Sequence, residues 1–196
     1  AEPQDAHAHF CLGLALVAAG ELSKALDAFL RRVELGGDPA EVYCALYEIA
    51  TIQDGATGDW DGALASYLRA YQARPSRAEP LHQLAFHYRK AEEYHTGYIF
   101  ARAAAAIPMP EGEPRVRRWV YQYGIHDELS ICAYWVGAYR ESLDAADRAL
   151  TSEAMPDETR KRVERNRRYA VDALGGEDAV AALKGGGAAA PALGAA

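Results

Sequence analysis

A ten-residue pattern occurs twice in the chain, at residues 20–29 and again at residues 58–67. Each copy has a turn glycine, an aliphatic or aromatic residue two positions later, a small residue at Ala25 or Ala63, and an aromatic residue at its end. This spacing places the small and aromatic residues on one face of a helix that packs closely against a neighbour. An internal repeat of this period predicts a stack of helical units.

The repeating unit is a helix, a short turn and a second helix. Along the chain, the small residue of the second helix falls at Ala25, Ala63, Gly97 and Ser142. The equivalent position of the first helix falls at Gly13, Tyr47, Ala85 and Ser130, where Tyr47 is the one misfit. We expect the insertions to lie in turns: four extra residues around 53–58, and a longer segment after Ile107.

An aromatic or aliphatic residue follows each turn, at Leu22, Trp60, Tyr94 and Tyr139, and Pro75 closes the second repeat. With these positions the chain resembles the tetratricopeptide repeat family. The resemblance implies an all-α, right-handed α-solenoid of four helix-turn-helix repeats plus a C-terminal capping helix, nine helices in all. The repeat domain would span 6–174, with repeats at about 6–39, 40–77, 78–111 and 123–156, an insertion at 108–122 and the capping helix at 157–174. The Ala/Gly-rich tail, 175–196, is expected to be flexible.

Composition excludes several classes of function. A net charge of −7 and a pI near 5.4 argue against nucleic acid or an anionic membrane as the general partner. The basic run at 160–168 is interleaved with acidic residues and is interpreted as a solvated face. Three widely spaced cysteines predict reduced core thiols and a cytoplasmic protein. The sequence begins at Ala1, so we expect a processed protein or part of a longer one.

Two short motifs have the composition of metal sites. Asp59 and Asp61 flank Trp60 in the manner of a metal-binding carboxylate pair, but they fall in a repeat turn, where Asp61 would cap the second helix. His7 and Cys11 would share a helical face, with His9 nearby, yet these residues provide only two or three ligands. We therefore predict no metal, no cofactor and no catalytic residue in this chain.

The first helices of such a stack line its concave groove. Acidic, basic and aromatic side chains alternate on that face, and such mixtures are typical of recognition surfaces. We predict a binding groove that contains Glu48, Glu79, His82, Phe86, Arg89, Tyr121, Asp127 and Tyr134. The segment 108–124 is expected to be an ordered strap between repeats three and four, with Tyr121 and Tyr123 beside Phe86, Tyr134 and Asp127.

A narrower resemblance concerns residues 74–81 (RPSRAEPL) and 121–129 (YQYGIHDEL). These segments are similar to the helical region that follows the catalytic domain in a group of bacterial family-two glycosyltransferases. That resemblance implies a non-catalytic binding module for a peptide, protein or glycan-acceptor segment, within or beside a glycosyltransferase. Two alternatives remain open. One is a small helical enzyme that uses Glu48, Glu79, His82 and Asp127 as acid and base groups, and the other is a scaffold for self-association.

Overall fold

The computed structural model describes residues 5–185, and this part of the chain contains ten α-helices and no strand. The helices are α1 (Ala6–Ala18), α2 (Leu22–Leu35), α3 (Pro39–Ile52), α4 (Trp60–Ala73), α5 (Glu79–Lys90), α6 (Tyr94–Ala105), α7 (Ile125–Trp135), α8 (Tyr139–Leu150), α9 (Asp157–Ala173) and α10 (Glu177–Gly185). Two π-helical turns, Gln53–Thr57 and Val120–Gly124, follow α3 and precede α7. The helices pack in consecutive antiparallel pairs, which confirms the predicted all-α solenoid.

Aspartates begin three of the helices. The carboxylates of Asp5, Asp38 and Asp59 accept a hydrogen bond from a backbone N–H in the first turn of α1, α3 and α4, respectively. Such caps satisfy backbone donors that have no partner inside the helix. Asp59, and not Asp61, is therefore the cap of α4, and the carboxylate pair of the sequence motif is divided between a cap and an exposed helical position.

Small residues lie where neighbouring helices approach each other closely, both within a pair and between pairs. A Cβ atom at Gly13 would lie 2.5 Å from the ring of Phe29 in α2, and one at Gly97 would lie 2.9 Å from Cys132 in α7. In the fourth pair, the hydroxyl of Ser142 donates to the carbonyl of Ser130 at 2.7 Å. The backbones can approach this closely only because the side chains at these positions are small.

Tyr47, the misfit of the repeat pattern, is buried between α3, α4 and α5. Its ring contacts those of Tyr43 and Tyr67, with centroids 6.4 and 5.8 Å away. Gln83 donates a hydrogen bond of 3.0 Å to its hydroxyl, so the polar atom is satisfied. An aromatic residue thus fills the junction of these three helices.

The four-residue insertion does not form a simple turn as predicted. It continues α3 as the π-helical turn Gln53–Thr57, which ends at Gly58 in the left-handed conformation. The side-chain oxygen of Gln53 accepts a 2.7 Å hydrogen bond from Ser66 in α4, which fixes the turn against the second helix. A π-helical turn accommodates the inserted residues while their backbone groups stay hydrogen-bonded within the helix.

The C-terminal end also differs from the prediction of nine helices and a flexible tail from residue 175. A tenth helix, Glu177–Gly185, follows the capping helix. Val180 is buried beside Leu143 and Ala170, and Glu177 pairs with Arg167 at 3.0 Å. The burial of Val180 against α8 and α9 docks this short segment, and residues 186–196 lie outside the described part of the chain.

Candidate binding groove

The first helices of the repeats and the capping helix, α1, α3, α5, α7 and α9, form one face of the solenoid. Each is joined to the next by a polar side-chain contact: His7 to Glu41, Gln83 to Tyr47, Arg89 to Glu128, and Arg162 to Asp127. Two residues predicted to face a ligand, Arg89 and Asp127, therefore hold neighbouring repeats together.

Arg89 and Asp127, both predicted groove residues, illustrate this role. Arg89 binds the buried carboxylate of Glu128 through two nitrogens, at 2.5 and 3.2 Å. Asp127 is 4% exposed and accepts a hydrogen bond from Arg162 of the capping helix. Burial raises the pKa of Asp127, and the nearby Arg162 only partly opposes this effect. The ion pair between Arg162 and Asp127 therefore fixes α9 on α7.

Residues 108–119, which we call the strap, cross the face formed by α1, α3 and α5. The guanidinium of Arg115 lies 5.9 Å from the ring centre of Phe10, and that of Arg117 lies 4.7 Å from that of Tyr47. Arg117 also approaches Glu48 at 3.4 Å. The predicted position of the segment 108–124, between repeats three and four, is therefore wrong for residues 108–119, which cover repeats one to three. Residues 120–124 do contact α5, α7 and α8.

Arg77 fastens the strap to the junction of repeats two and three. The residue is 2% exposed and binds Glu79 at 2.6 Å. Its remaining donors reach the strap, at the carboxylate of Glu113 (3.2 Å) and the carbonyls of Pro114 (3.3 Å) and Arg115 (3.2 Å). The five donors of one guanidinium thus connect a buried carboxylate to three consecutive strap residues.

Glu79 is the acceptor at the centre of these contacts. We call Arg77, Glu79 and Tyr121 the strap anchor. Its carboxylate receives hydrogen bonds from the hydroxyls of Tyr43 (3.2 Å) and Tyr121 (2.6 Å) and from the backbone N–H of Arg117 (3.2 Å). Burial favours the neutral acid, but the hydrogen bonds from Arg77 and Tyr121 outweigh it and lower the pKa of Glu79. This predicted groove residue is 1% exposed, so it supports the strap and does not face a ligand.

The prediction that Tyr121 and Tyr123 lie beside Phe86, Tyr134 and Asp127 is wrong. The hydroxyl of Tyr121 binds Glu79 and the N–H of Ala78, whereas Tyr123 packs against the cluster that contains Met155 and Val163. Their spacing of two residues suggests a common face only in an extended segment. Within the helical turn Val120–Gly124 they point in nearly opposite directions.

His82 is buried beneath the last residue of the strap. Its ring meets that of Trp119 edge to face, with centroids 5.1 Å apart, and only 3% of the residue is exposed. Burial, assisted by the positive charge of Arg89, lowers the pKa of His82 to about 4. The four groups proposed for acid and base catalysis are thus divided among separate contacts, and His82 is neutral at pH 7.

A cavity of about 330 Å³ remains between the strap and α3. Tyr43, Tyr47, Glu48, Arg115 and Arg117 contribute to its wall. Glu48 faces Arg117, so their charges offset each other, and Arg115 has no carboxylate partner among residues 5–185. Two predicted groove residues, Glu48 and Glu79, line this cavity. Glu79 is buried, so only the carboxylate of Glu48 is accessible to a ligand there.

The face beyond the strap has a second, more apolar pocket of about 360 Å³. Ile131, Tyr134 and Trp135 of α7 line it together with Asn166 and Tyr169 of α9. Trp135 is 59% exposed and Tyr169 is 51% exposed, although both are large and apolar. Trp135 is held by a stacked contact with Tyr94, at 4.9 Å between centroids. We call these five lining residues the aromatic pocket.

The helix α9, which forms one wall of the aromatic pocket, carries six basic residues between positions 160 and 168. Most have partners inside the protein: Arg160 donates to backbone carbonyls, Lys161 pairs with Glu158, Arg162 with Asp127, and Arg167 with Asp147 and Glu177. Arg165 and Arg168 are exposed and have no ion pair in the described part of the chain. Arg165 precedes Tyr169 by one helical turn, so an unpaired positive charge lies on the helix that forms one pocket wall.

Tyr134 is the predicted groove residue that lines the aromatic pocket. Phe86 lies farther along the same face, where Arg89 and Lys90 approach its ring at 5.2 and 5.5 Å. The sequence reasoning missed Asn166 and Tyr169, because α9 was interpreted as a solvated cap. The three-residue spacing of Asn166 and Tyr169 on one helical face was the available signal.

Among residues 5–185, no group of three or more His, Cys, Asp or Glu side chains has the arrangement of a metal site. None of the helices described here combines the length and the apolar character that crossing a membrane requires. The predicted cytoplasmic location stays a prediction.

The fold is similar to that of two solved structures. The ArsTM double mutant of MamA RS-1 aligns with a TM-score of 0.60 and 13% sequence identity, over 94% of this chain and 96% of that chain. A kinesin light chain from Podosopora anserina with nearly identical TPR-like repeats aligns with a TM-score of 0.55 and 16% identity, over 93% of each chain. No protein-family model and no curated protein matches the sequence. At these identities the likeness establishes the fold alone, a tetratricopeptide-like α-solenoid.

Proposed function

We propose that this chain is a non-catalytic interaction module that binds a segment of another protein at the aromatic pocket. The observation that carries the proposal is the exposure of Trp135 and Tyr169 around a pocket on the row of first helices. Large aromatic residues that are held in place but exposed are typical of binding hot spots. Tetratricopeptide-like folds are typically interaction modules, which is consistent with this function.

The strap favours the aromatic pocket over the rest of the face. It already covers α3 and α5, where Glu79 and Arg77 use their hydrogen-bonding groups on strap residues. The cavity that remains at that end is lined largely by charged groups, whereas the aromatic pocket is mostly apolar and bordered by exposed aromatic side chains. We therefore assign the primary contact to α7 and α9.

The chemistry of the pocket defines the ligand segment. Its apolar walls suit one aromatic or branched aliphatic side chain, and Asn166 offers an amide for a backbone group of the ligand. The unpaired Arg165 and Arg168 favour an acidic residue next to the apolar one. The expected ligand is an acidic segment with an apolar anchor, despite the overall negative charge of this chain.

A finer proposal is that the partner, or the longer protein, is a glycosyltransferase. It is supported by the resemblance of residues 74–81 and 121–129 to the helical region of bacterial family-two glycosyltransferases. In this chain the two segments contribute to the strap anchor and to the contacts between first helices. The resemblance thus supports a shared architecture. Coelution of this chain with a glycosyltransferase encoded beside it, abolished by Trp135→Ala, is the expected result, and independent elution would contradict this finer proposal.

Selection from a displayed library of random peptides tests the main proposal. We expect enrichment of peptides with an aromatic or aliphatic residue beside Asp or Glu. Fluorescence anisotropy should then show at least tenfold weaker binding to Trp135→Ala, because a hot-spot residue contributes roughly 2 kcal/mol or more. Arg165→Glu should weaken binding and reduce its dependence on salt.

Two exposed residues provide matched controls. Ile99, on α6, is 65% exposed and apolar, and Arg118 is an exposed arginine of the strap. Ile99→Ala and Arg118→Glu should leave the affinity unchanged. Equal loss in the control and pocket variants, or selected peptides that bind Trp135→Ala as well as the parent, would contradict the proposed function.

A further inference from the structure

A cysteine, a histidine and a glutamate form a linear hydrogen-bonded group at the N-terminal end of the solenoid. The Sγ atom of Cys11 lies 3.4 Å from Nε2 of His7, one helical turn earlier on α1. The other ring nitrogen of His7, Nδ1, lies 2.6 Å from the carboxylate of Glu41 on α3. The imidazole therefore stands between a thiol and a carboxylate.

The carboxylate is itself held from the protein interior. Arg32, which is 1% exposed, donates from Nε to the second oxygen of Glu41 at 3.0 Å. The same guanidinium donates to the carbonyls of Gly36 and Asp38, which fixes its position. Glu41 thus orients the His7 ring so that Nε2 faces the thiol.

This geometry differs from that of a metal site. Ligands of one ion must converge on a common point, whereas Cys11 and Glu41 contact opposite nitrogens of the same ring. A nucleophile, a base and a group that orients the base are the parts from which proteins build reactive thiols. The arrangement thus explains why His7 and Cys11 share a helical face without requiring a metal.

We propose that Cys11 is a reactive thiol that exchanges with low-molecular-weight disulfides. His7 Nε2 accepts the thiol proton, and the thiolate attacks one sulfur of the disulfide R–S–S–R. The old S–S bond breaks as the Cys11–S–S–R bond forms, and the departing RS⁻ takes the proton from His7. The incoming disulfide is the oxidant, so the step needs no other redox partner.

Two features favour disulfide exchange over acyl transfer and over an internal disulfide. Cys11 is inside α1, where backbone N–H groups are bonded within the helix and cannot stabilise an acyl oxyanion. The remaining cysteines, Cys44 and Cys132, are buried and free. Burial raises the pKa of both, to about 12 for Cys132, so less of either thiol is present as the reactive thiolate. The product is therefore a mixed disulfide on Cys11.

The rate of reaction with oxidised glutathione, and with a chromogenic aryl disulfide, tests the proposal at neutral pH. One thiol should react rapidly in the folded chain, and mass spectrometry should place the adduct on Cys11. His7→Gln should slow the reaction about tenfold or more, as expected for loss of a general base. The side chain of His7 is 71% exposed, so its contact with Glu41 contributes little to stability and this substitution should leave the fold intact.

The matched control is His95→Gln, an exposed histidine on α6, which should leave the rate unchanged. Cys11→Ser should remove the rapid phase, while Cys44 and Cys132 should react only after denaturation. A rate that is unaffected by His7→Gln, or that equals the rate of an unstructured peptide of residues 5–15, would overturn the proposal and show an ordinary exposed thiol.

Discussion

The hydroxyl of Tyr121 provides a single-atom test of the strap anchor. It donates to Glu79 at 2.6 Å and accepts from the N–H of Ala78 at 2.9 Å, and both partners are buried. Tyr121→Phe removes one oxygen and leaves a carboxylate lone pair and a backbone donor without partners. Hydrogen bonds to charged groups contribute about 1.5 to 3 kcal/mol, and a buried donor without a partner costs a similar amount. We expect a loss of about 3 kcal/mol in the free energy of unfolding.

Urea denaturation measures this loss, and amide hydrogen exchange locates it. The N–H of Arg117 donates to Glu79, so its exchange should accelerate more than exchange in α7 or α8. Tyr123→Phe is the control, because its hydroxyl makes no hydrogen bond within the described residues. The reasoning would be refuted if the two variants lost the same stability, or if exchange at the strap did not change.

Two further predictions concern the interior. Between pH 6.5 and about 4 the unfolded chain protonates at position 82 while buried His82 stays neutral, so stability falls as the pH decreases. The pKa difference corresponds to about 3 kcal/mol, and His82→Leu should reduce the pH dependence of urea denaturation by that amount; an identical profile would contradict it. Ala63 is fully buried between α3 and α4, so Ala63→Trp should cost roughly 1 to 3 kcal/mol or more in thermal unfolding. Ala65 is exposed, so Ala65→Trp should leave thermal stability unchanged. Equal losses of stability in the two variants would show that the repeat register is wrong.

The periodic part of the fold could be predicted from the sequence because each repeat obeys the same local rules. Ala25, Gly97 and Ser142 mark positions where a larger side chain would separate paired helices. The π-helical turn at Gln53–Thr57 could not be predicted this way, since its length is compatible with a loop or with an extended helix. The tenth helix depends on docking of Val180 on α9, a tertiary contact that overrides the weak local preference of a Gly-flanked segment.

The candidate site was less predictable than the fold. First-helix positions correctly identify the face, but they do not show whether a polar group points to solvent or to the next helix. Glu79 and Asp127 are both buried because two arginines outside the first-helix positions supply their partners: Arg77 in the turn just before α5, and Arg162 on α9. The path of the strap follows from the contacts of Arg77 with three strap residues, which no periodic pattern encodes.

The three tryptophans of the chain report on three different surfaces. Trp135 lines the aromatic pocket, Trp119 ends the strap beside His82, and Trp60 stacks on His87 at the α4 to α5 junction. Their indole N–H resonances can therefore be followed separately by nuclear magnetic resonance. This makes the position of a bound peptide directly measurable.

The most direct test of the account is a titration of the labelled chain with an acidic peptide that carries one aromatic residue. We predict that the Trp135 indole resonance shifts progressively to saturation while those of Trp119 and Trp60 stay in place. A shift of the Trp119 resonance without a shift of Trp135 would contradict the account, because the peptide would then bind at the strap and not at the aromatic pocket.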